Sequence, residues 1–190
     1  MTNAKKSKKP LALGFIGGGL SSAIGQVHFG ASELDGKWKL EAGCFSRQRE
    51  FNIKTANAWH INPNRSYDTW QSLIKNEAEN LDAIAVLTPT PDHLEIINAL
   101  LDKNIPIICE KPLVSSLEEA LIIQKSFKKE SNFLVATFNY SGYPLIRELR
   151  ERIKKGALGQ IKHIRFEVPQ DAFVRSTPAK GNAVSWRLKD

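Results

Sequence analysis

No unbroken apolar run in the sequence approaches the ~18 residues a membrane-spanning helix needs, and Leu11 to Leu20 is too short and too rich in glycine to serve as one. No membrane partner is expected on that ground. The same segment lacks a small-residue cleavage site and leads straight into a periodic fold pattern, so a secretory leader is not expected and the compartment expected is the cytoplasm. Cysteine is scarce: Cys44 and Cys109 are the only two, without paired spacing and each inside a strand-like run. They read as small core residues, and neither a disulfide nor a metal site is expected. Internal repeats and low-complexity stretches are missing as well.

An organised basic face is also lacking. The net charge is +7, but Lys5, Lys6, Lys8 and Lys9 supply four of those charges from a polar tail, which leaves +3 for the rest. A loose basic arm is a solvated tail more often than a binding element, so no nucleic-acid partner is expected.

What is present is ordinary for a folded protein: 42% hydrophobic and 25% charged residues in 190. That length allows one full domain of the usual ~100–150 residues with a remainder. Strand-like runs occur at Leu11–Gly17, Trp38–Phe45, Ala83–Leu87, Ile105–Cys109 and Phe133–Phe138. Between them lie helix-like segments near Ser22–Leu34, Arg49–Trp59, Asp68–Glu77, Asp92–Lys103, Ser116–Glu130 and Tyr143–Lys154. The alternation predicts an α/β fold, a doubly wound parallel sheet covered by helices on both faces. Gly156 and Gly159 bracket a turn, after which Gln160 to Val168 reads as one further strand. A single strand cannot cover its own apolar face. The expected organisation is therefore a tail over 1–10, a complete doubly wound domain over 11–140, and an incomplete start of a second domain over 141–190.

The chemistry begins at Gly17-Gly18-Gly19-Leu20-Ser21-Ser22, between the first strand and the first helix. Glycines there let the backbone approach a pyrophosphate, whose charge is met by the free N–H groups of the helix. The pattern is G-x-G-x-x-S rather than G-x-G-x-x-G, with Gly25 three residues further on, which points to a longer turn. Where an acidic residue for the ribose diol of NAD is expected, the sequence has Ser46-Arg47. A guanidinium suits a 2′-phosphate, so the cofactor expected is NADP or NAD with a lean toward NADP.

Leu87-Thr88-Pro89-Thr90-Pro91-Asp92-His93, then Asn98-Ala99-Leu100-Leu101, then Ile107-Ile108-Cys109-Glu110-Lys111-Pro112-Leu113 together resemble the signature of the Gfo/Idh/MocA oxidoreductase family. The resemblance extends back to Ile24-Gly25-Gln26-Val27-His28 and forward through Phe138 to Pro144 and Gly156 to Ile161. It implies a Rossmann domain followed by an open-sheet α+β domain, with hydride transfer at a carbinol carbon of a sugar or polyol. It also implies that Lys111 is the catalytic lysine beside nicotinamide and substrate, that Glu110 contacts the cofactor, and that Thr88, Pro89 and Thr90 line the nicotinamide ribose. His93 is either a cofactor contact or a structural cap, Asn139 is a further cofactor-binding candidate at the end of the last strand, and Tyr140 either faces the substrate or packs. Pro112 disfavours helical backbone at Lys111 and aims its side chain into the crevice. The Lys111–Pro112 bond itself is open between cis and trans.

Family members pair through the second domain, so a homo-oligomer is a further expectation. Trp186-Arg187-Leu188-Lys189-Asp190 resembles the start of the stretch that leads to the family's catalytic histidine, and none of His28, His60, His93 and His163 matches that residue. The chain alone is therefore expected to be inactive. A non-catalytic NAD(P)-binding sensor or partner module is the alternative from another functional class.

Overall fold

Strand β1 (Leu11–Gly17) is buried from Leu13 to Ile16, and β3 (Ala83–Leu87) is buried along its whole length. Such uninterrupted apolar strands are what a sheet covered on both faces demands. With β2 (Trp38–Cys44), β4 (Ile107–Cys109) and β5 (Leu134–Ala136) they form one parallel sheet in the order β2-β1-β3-β4-β5. The computed structural model describes residues 9–169, which divide into two units after Phe138. Lys5, Lys6 and Lys8 of the tail, the loop from Gln170 to Asn182 and Trp186 to Asp190 lie outside the described residues.

The two-residue period of the strands sends alternate side chains to two cores. Ala83, Ala85 and Leu87 join Leu13, Phe15, Leu40, Phe45 and Trp59 on the face covered by α1 (Ala23–Glu33) and α2 (Arg49–Ala58). Trp59 stacks on Phe29 at 4.5 Å and meets Phe15 and Phe45 edge-on. Ile84 and Val86 point the other way, against Leu73 of α3 (Trp70–Glu77), Ile97, Leu100 and Leu101 of α4 (His93–Asp102), and Ile123 of α5 (Leu117–Ser126). Each such fully buried side chain stabilises the fold by roughly 1.5–3 kcal/mol.

The helices begin where short polar side chains can accept the first free N–H groups. Ser22 accepts from Gly25, Thr69 from Ser72 and Ser116 from Glu119. The Glu119 carboxylate in turn accepts the Ser115 N–H at 2.8 Å.

Several expected elements are shorter or absent, and β5 keeps only Leu134–Ala136 of the expected Phe133–Phe138. β4 starts at Ile107 rather than Ile105, because the Ile105 N–H turns back to Leu100 and Pro106 has no N–H to give to the sheet. α5 stops at Ser126 rather than Glu130. Buried Asn132 accepts the Lys128 N–H and donates to the Leu101 carbonyl and Asn104, which folds the chain into a turn. Gln160 to Val168 forms no strand: Ile164, Phe166 and Val168 are exposed, and no strand among the described residues lies alongside to share its hydrogen bonds.

Within the second unit, a 3₁₀ turn (Asn139–Gly142) precedes α6 (Pro144–Lys154), where proline at the first position suits a helix start. None of α6 is buried, and Leu145, Ile146, Leu149 and Ile153 remain exposed.

Candidate functional site

The chain runs from β1 outward to β2 and then returns past β1 to β3, so the winding reverses between β1 and β3. The crevice outside the carboxyl ends of the strands at such a reversal is where open α/β sheets take ligands. All strands being parallel, the segments after β1, β2, β3 and β4 line up along that one edge. Gly17 to Ser21, Ser46-Arg47, Thr88 to Thr90 and Glu110-Lys111 are thereby brought together from four places in the sequence.

The glycines after β1 are required by the backbone. Gly17 and Gly18 have φ of 79° and 68°, which L side chains rarely adopt, and a Cβ on Gly17 would stand 2.8 Å from the Thr88 nitrogen. Gly25 lets α1 lie directly on the turn, since its Cβ would be 1.8 Å from the Gly18 carbonyl oxygen. The close-packing glycine of the fingerprint is thus Gly25 and not position 22. The three added residues are held in place: the Leu20 N–H donates to Thr55 Oγ1 at 3.1 Å, and Gln26 donates to the Leu20 carbonyl at 2.8 Å. The first turn of α1 carries no acidic residue, so nothing there competes with an anion for the positive helix end.

At the end of β2, buried Asn52 of α2 accepts the Phe45 and Ser46 N–H groups at 2.7 and 2.8 Å and donates to the Ser46 carbonyl at 2.9 Å. Ser46 Oγ accepts from Gln48, and Arg47 forks onto both carboxylate oxygens of Asp92 at 3.0 and 2.9 Å. Asn52→Ala leaves the buried Phe45 N–H and the half-buried Ser46 N–H and carbonyl without partners. The expected loss is about 2–4 kcal/mol in urea unfolding, since a stranded buried group costs ~1–3 kcal/mol and the two half-buried groups, open to water, cost less. A loss below 1 kcal/mol would mean that water replaces the amide.

After β3, Thr88 Oγ1 is buried and has no hydrogen-bond partner. His93, 1% exposed, lies beneath this loop. Its Nε2 faces the Thr88 carbonyl at 2.9 Å, while Nδ1 faces the carbonyls of Pro112 and Leu113 at 3.2 and 3.1 Å. It therefore ties the β3 loop to the turn after β4. Burial, with Glu110 nearby, pushes the adjoining Cys109 thiol up to about 12, which leaves it an inert core residue.

The Glu110 carboxylate has three partners in the crevice. One carboxylate oxygen accepts from His28 Nε2 at 2.8 Å and Thr137 at 2.6 Å, and the other accepts the Lys111 N–H at 3.1 Å. Burial alone would raise its pKa, but the hydrogen bonds from His28, Thr137 and Lys111 outweigh burial and hold the carboxyl below the usual range. Lys111 is exposed at the crevice edge, and its peptide bond to Pro112 is cis. Asn139 and Tyr140 belong to the 3₁₀ turn that opens the second unit. Sequence reading alone did not single out Asn52, Thr55 or Thr137, and it assigned His28 no role. The available signal was polar residues at buried positions of otherwise amphipathic segments.

Residues 11–151 match the family model of oxidoreductases with an NAD-binding Rossmann fold. The chain belongs to the Gfo/Idh/MocA family. Among relatives in this family, the uncharacterized oxidoreductase YfiI of Bacillus subtilis (strain 168) is 30% identical over 189 residues, covering 95% of this chain and 47% of that protein. Levoglucosan dehydrogenase of Pseudarthrobacter phenanthrenivorans is 28% identical over 124 residues, covering 65% of this chain and 30% of its own length. An inositol dehydrogenase homolog from Azotobacter vinelandii, solved with NAD+, superposes with a TM-score of 0.76 at 29% identity, covering 84% of this chain and 42% of that one. This Gfo/Idh/MocA chain thus spans about half or less of the relatives it matches, and a parallel five-stranded Rossmann sheet is the part they share.

Proposed function

We propose that the chain is the nucleotide-binding half of an NAD(P)-dependent dehydrogenase that moves a hydride to or from a carbinol carbon of a sugar or polyol. The observation that carries this reading is the buried, unpartnered Thr88 hydroxyl, set beside the Gly17 turn in the crevice that Glu110 and Lys111 close. A buried polar atom without a partner marks a place for a ligand group. A Cβ at Gly17, Gly18 or Gly25 would strike the protein itself, so the glycines let the turn pack closely beneath the free N–H groups at the start of α1, a donor set that fits the pyrophosphate of a dinucleotide. Gly17, Gly18, Gly19, Leu20 and Ser21 hold the phosphates, and Ser46 and Arg47 meet the adenosine ribose, where the guanidinium favours a 2′-phosphate. Thr88, Pro89, Thr90 and Glu110 line the nicotinamide side, and His93 braces that loop from below.

A bound nicotinamide supplies or accepts the hydride. Lys111 hydrogen-bonds the reacting oxygen and favours the negative charge that develops there. Glu110, fixed by His28 and Thr137, sets where the Lys111 backbone lies. A proton acceptor is not supplied by the described histidines of the first unit: His28 is committed to Glu110, His93 is buried, and His60 sits on an exposed turn.

The purified chain is expected to bind NADH and NADPH saturably but weakly, by nicotinamide fluorescence, and to turn over no polyol. A positioned base alone contributes ~10²–10⁴ in rate. Lys111→Ala is the check on the site, and it should alter the bound nicotinamide's fluorescence without unfolding the protein. Failure to bind either nucleotide would overturn the reading, and turnover at rates like those of full-length relatives would overturn the inactivity.

A further inference from the structure

Arg47 follows β2 and Asp92 closes the turn after β3, yet the two are joined by a forked ion pair. Since β1 lies between β2 and β3, the pair crosses the carboxyl end of β1, above the glycine turn, a span of about 10 Å at the usual strand spacing. The guanidinium offered to the nucleotide ribose already gives its Nη2 to a carboxylate that reaches it across the crevice. Asp92 makes no side-chain cap bond to α4, so that carboxylate is committed to Arg47 alone.

We propose that Asp92 is a specificity-determining residue: its carboxylate occupies Arg47 and so restrains the preference for a 2′-phosphate that Arg47 would otherwise confer. The inference rests on the nucleotide-binding reading above and adds to it a residue on a different strand end. A 2′-phosphate has to compete with that carboxylate for Nη2 and meets its negative charge, whereas a 2′-hydroxyl does neither. Arg47 is 87% exposed and Asp92 33% in their side chains, so the pair is a weak, solvent-screened one that a doubly charged phosphate can open. The result is a site that admits both nucleotides with little discrimination between them, although an arginine stands at the ribose position.

The test is calorimetric titration of the purified chain with adenosine 2′,5′-bisphosphate and adenosine 5′-monophosphate, probes that differ at the 2′ position and do not need the nicotinamide side of the crevice. Asp92→Asn, which keeps shape and helix-start chemistry, is expected to raise the affinity ratio of bisphosphate to monophosphate by about fivefold, the size of an exposed ion pair. In an Arg47→Ala background the same substitution is expected to change the ratio by less than about twofold, because the coupling runs through the guanidinium. An unchanged ratio in Asp92→Asn with binding intact overturns this inference and leaves the nucleotide reading standing. An equal gain in both backgrounds also overturns it, since bulk charge would then account for the effect. If neither probe binds the wild-type chain or any variant, the nucleotide reading fails and this inference fails with it.

Discussion

Gly25→Ala is expected to abolish saturable nucleotide binding and to lower the melting temperature of the chain. The added methyl would sit 1.8 Å from the Gly18 carbonyl oxygen and 2.3 Å from its carbon, both of them backbone atoms. Ordinary carbon-to-oxygen contact needs about 3.3 Å, so α1 must withdraw from the turn by on the order of 1.5 Å. That withdrawal breaks the Ser22 cap on the Gly25 N–H and moves the helix N-terminus from the place where a pyrophosphate would meet it. Overpacking at ~1–3 kcal/mol and the lost cap at ~1 kcal/mol exceed the ~1 kcal/mol that alanine contributes in a helix, for a net loss of about 1–3 kcal/mol. For a chain of this size that corresponds to a fall of about 2–12 °C. Gly30→Ala is the control: it lies on the same helix, is exposed, and a Cβ there meets nothing within 4 Å. It should raise stability by about 0.5–1 kcal/mol and leave binding unchanged. Undiminished NADH affinity in Gly25→Ala would show that α1 does not set the phosphate position.

The same glycine illustrates how far the sequence could be read. A strand, a glycine turn and a helix were legible because short uninterrupted apolar runs and φ-permissive residues act locally, and β1 and β3 stand where their patterns put them. Which glycine packs against the turn was not legible, since it depends on three extra residues finding Thr55 and Gln26 as partners. Boundaries shifted where a distant side chain intervened, as Asn132 does at the end of α5 through its bonds to Leu101 and Asn104. At the crevice, motif spacing pointed to Glu110 and Lys111, but His28 lies 82 residues before Glu110, and only the parallel sheet brings them within 2.8 Å. The run from Gln160 to Val168 carries a strand's residue pattern without a strand's partners. Local propensity does not create a ladder, because every strand N–H and C=O needs another chain segment to bond.

The second large effect belongs to a network away from the crevice that holds β2 in position. Arg65 forks onto Glu77 of α3 at 2.9 and 2.7 Å and also pairs with Glu41 of β2, while the Tyr67 hydroxyl donates to Glu77 at 2.9 Å. Beside it, Ser66 bridges to Gly43 and the Tyr67 N–H bonds the Gly43 carbonyl, so this segment covers the outer edge of β2. Burial alone would raise the Glu77 carboxyl, yet the bonds from Arg65 and Tyr67 hold it below the usual range, and Glu41 is lowered in the same way by Arg65 and Lys39. Burial and Glu77 push the Tyr67 phenol up to about 12, so it remains a donor. Arg65→Ala leaves Glu77, 3% exposed in its side chain, as a buried charge with only the neutral partners Tyr67 and Asn80, at an expected cost of about 3–5 kcal/mol at pH 7.

The sign of the pH dependence then differs between the two proteins. In the wild type, depressed carboxyls contribute stability that is present above their unfolded pKa, near 4.3, and is lost as pH falls through the lower folded values. In Arg65→Ala, burial dominates Glu77 and raises it, so the penalty is full at neutral pH and shrinks as acidification lets the carboxyl take a proton. Urea unfolding at pH 7.5 and pH 4.5 should therefore show the difference between wild type and variant narrowing toward acid. An equal difference at both values would mean that Arg65 acts by packing its stem and not by compensating the buried carboxylate.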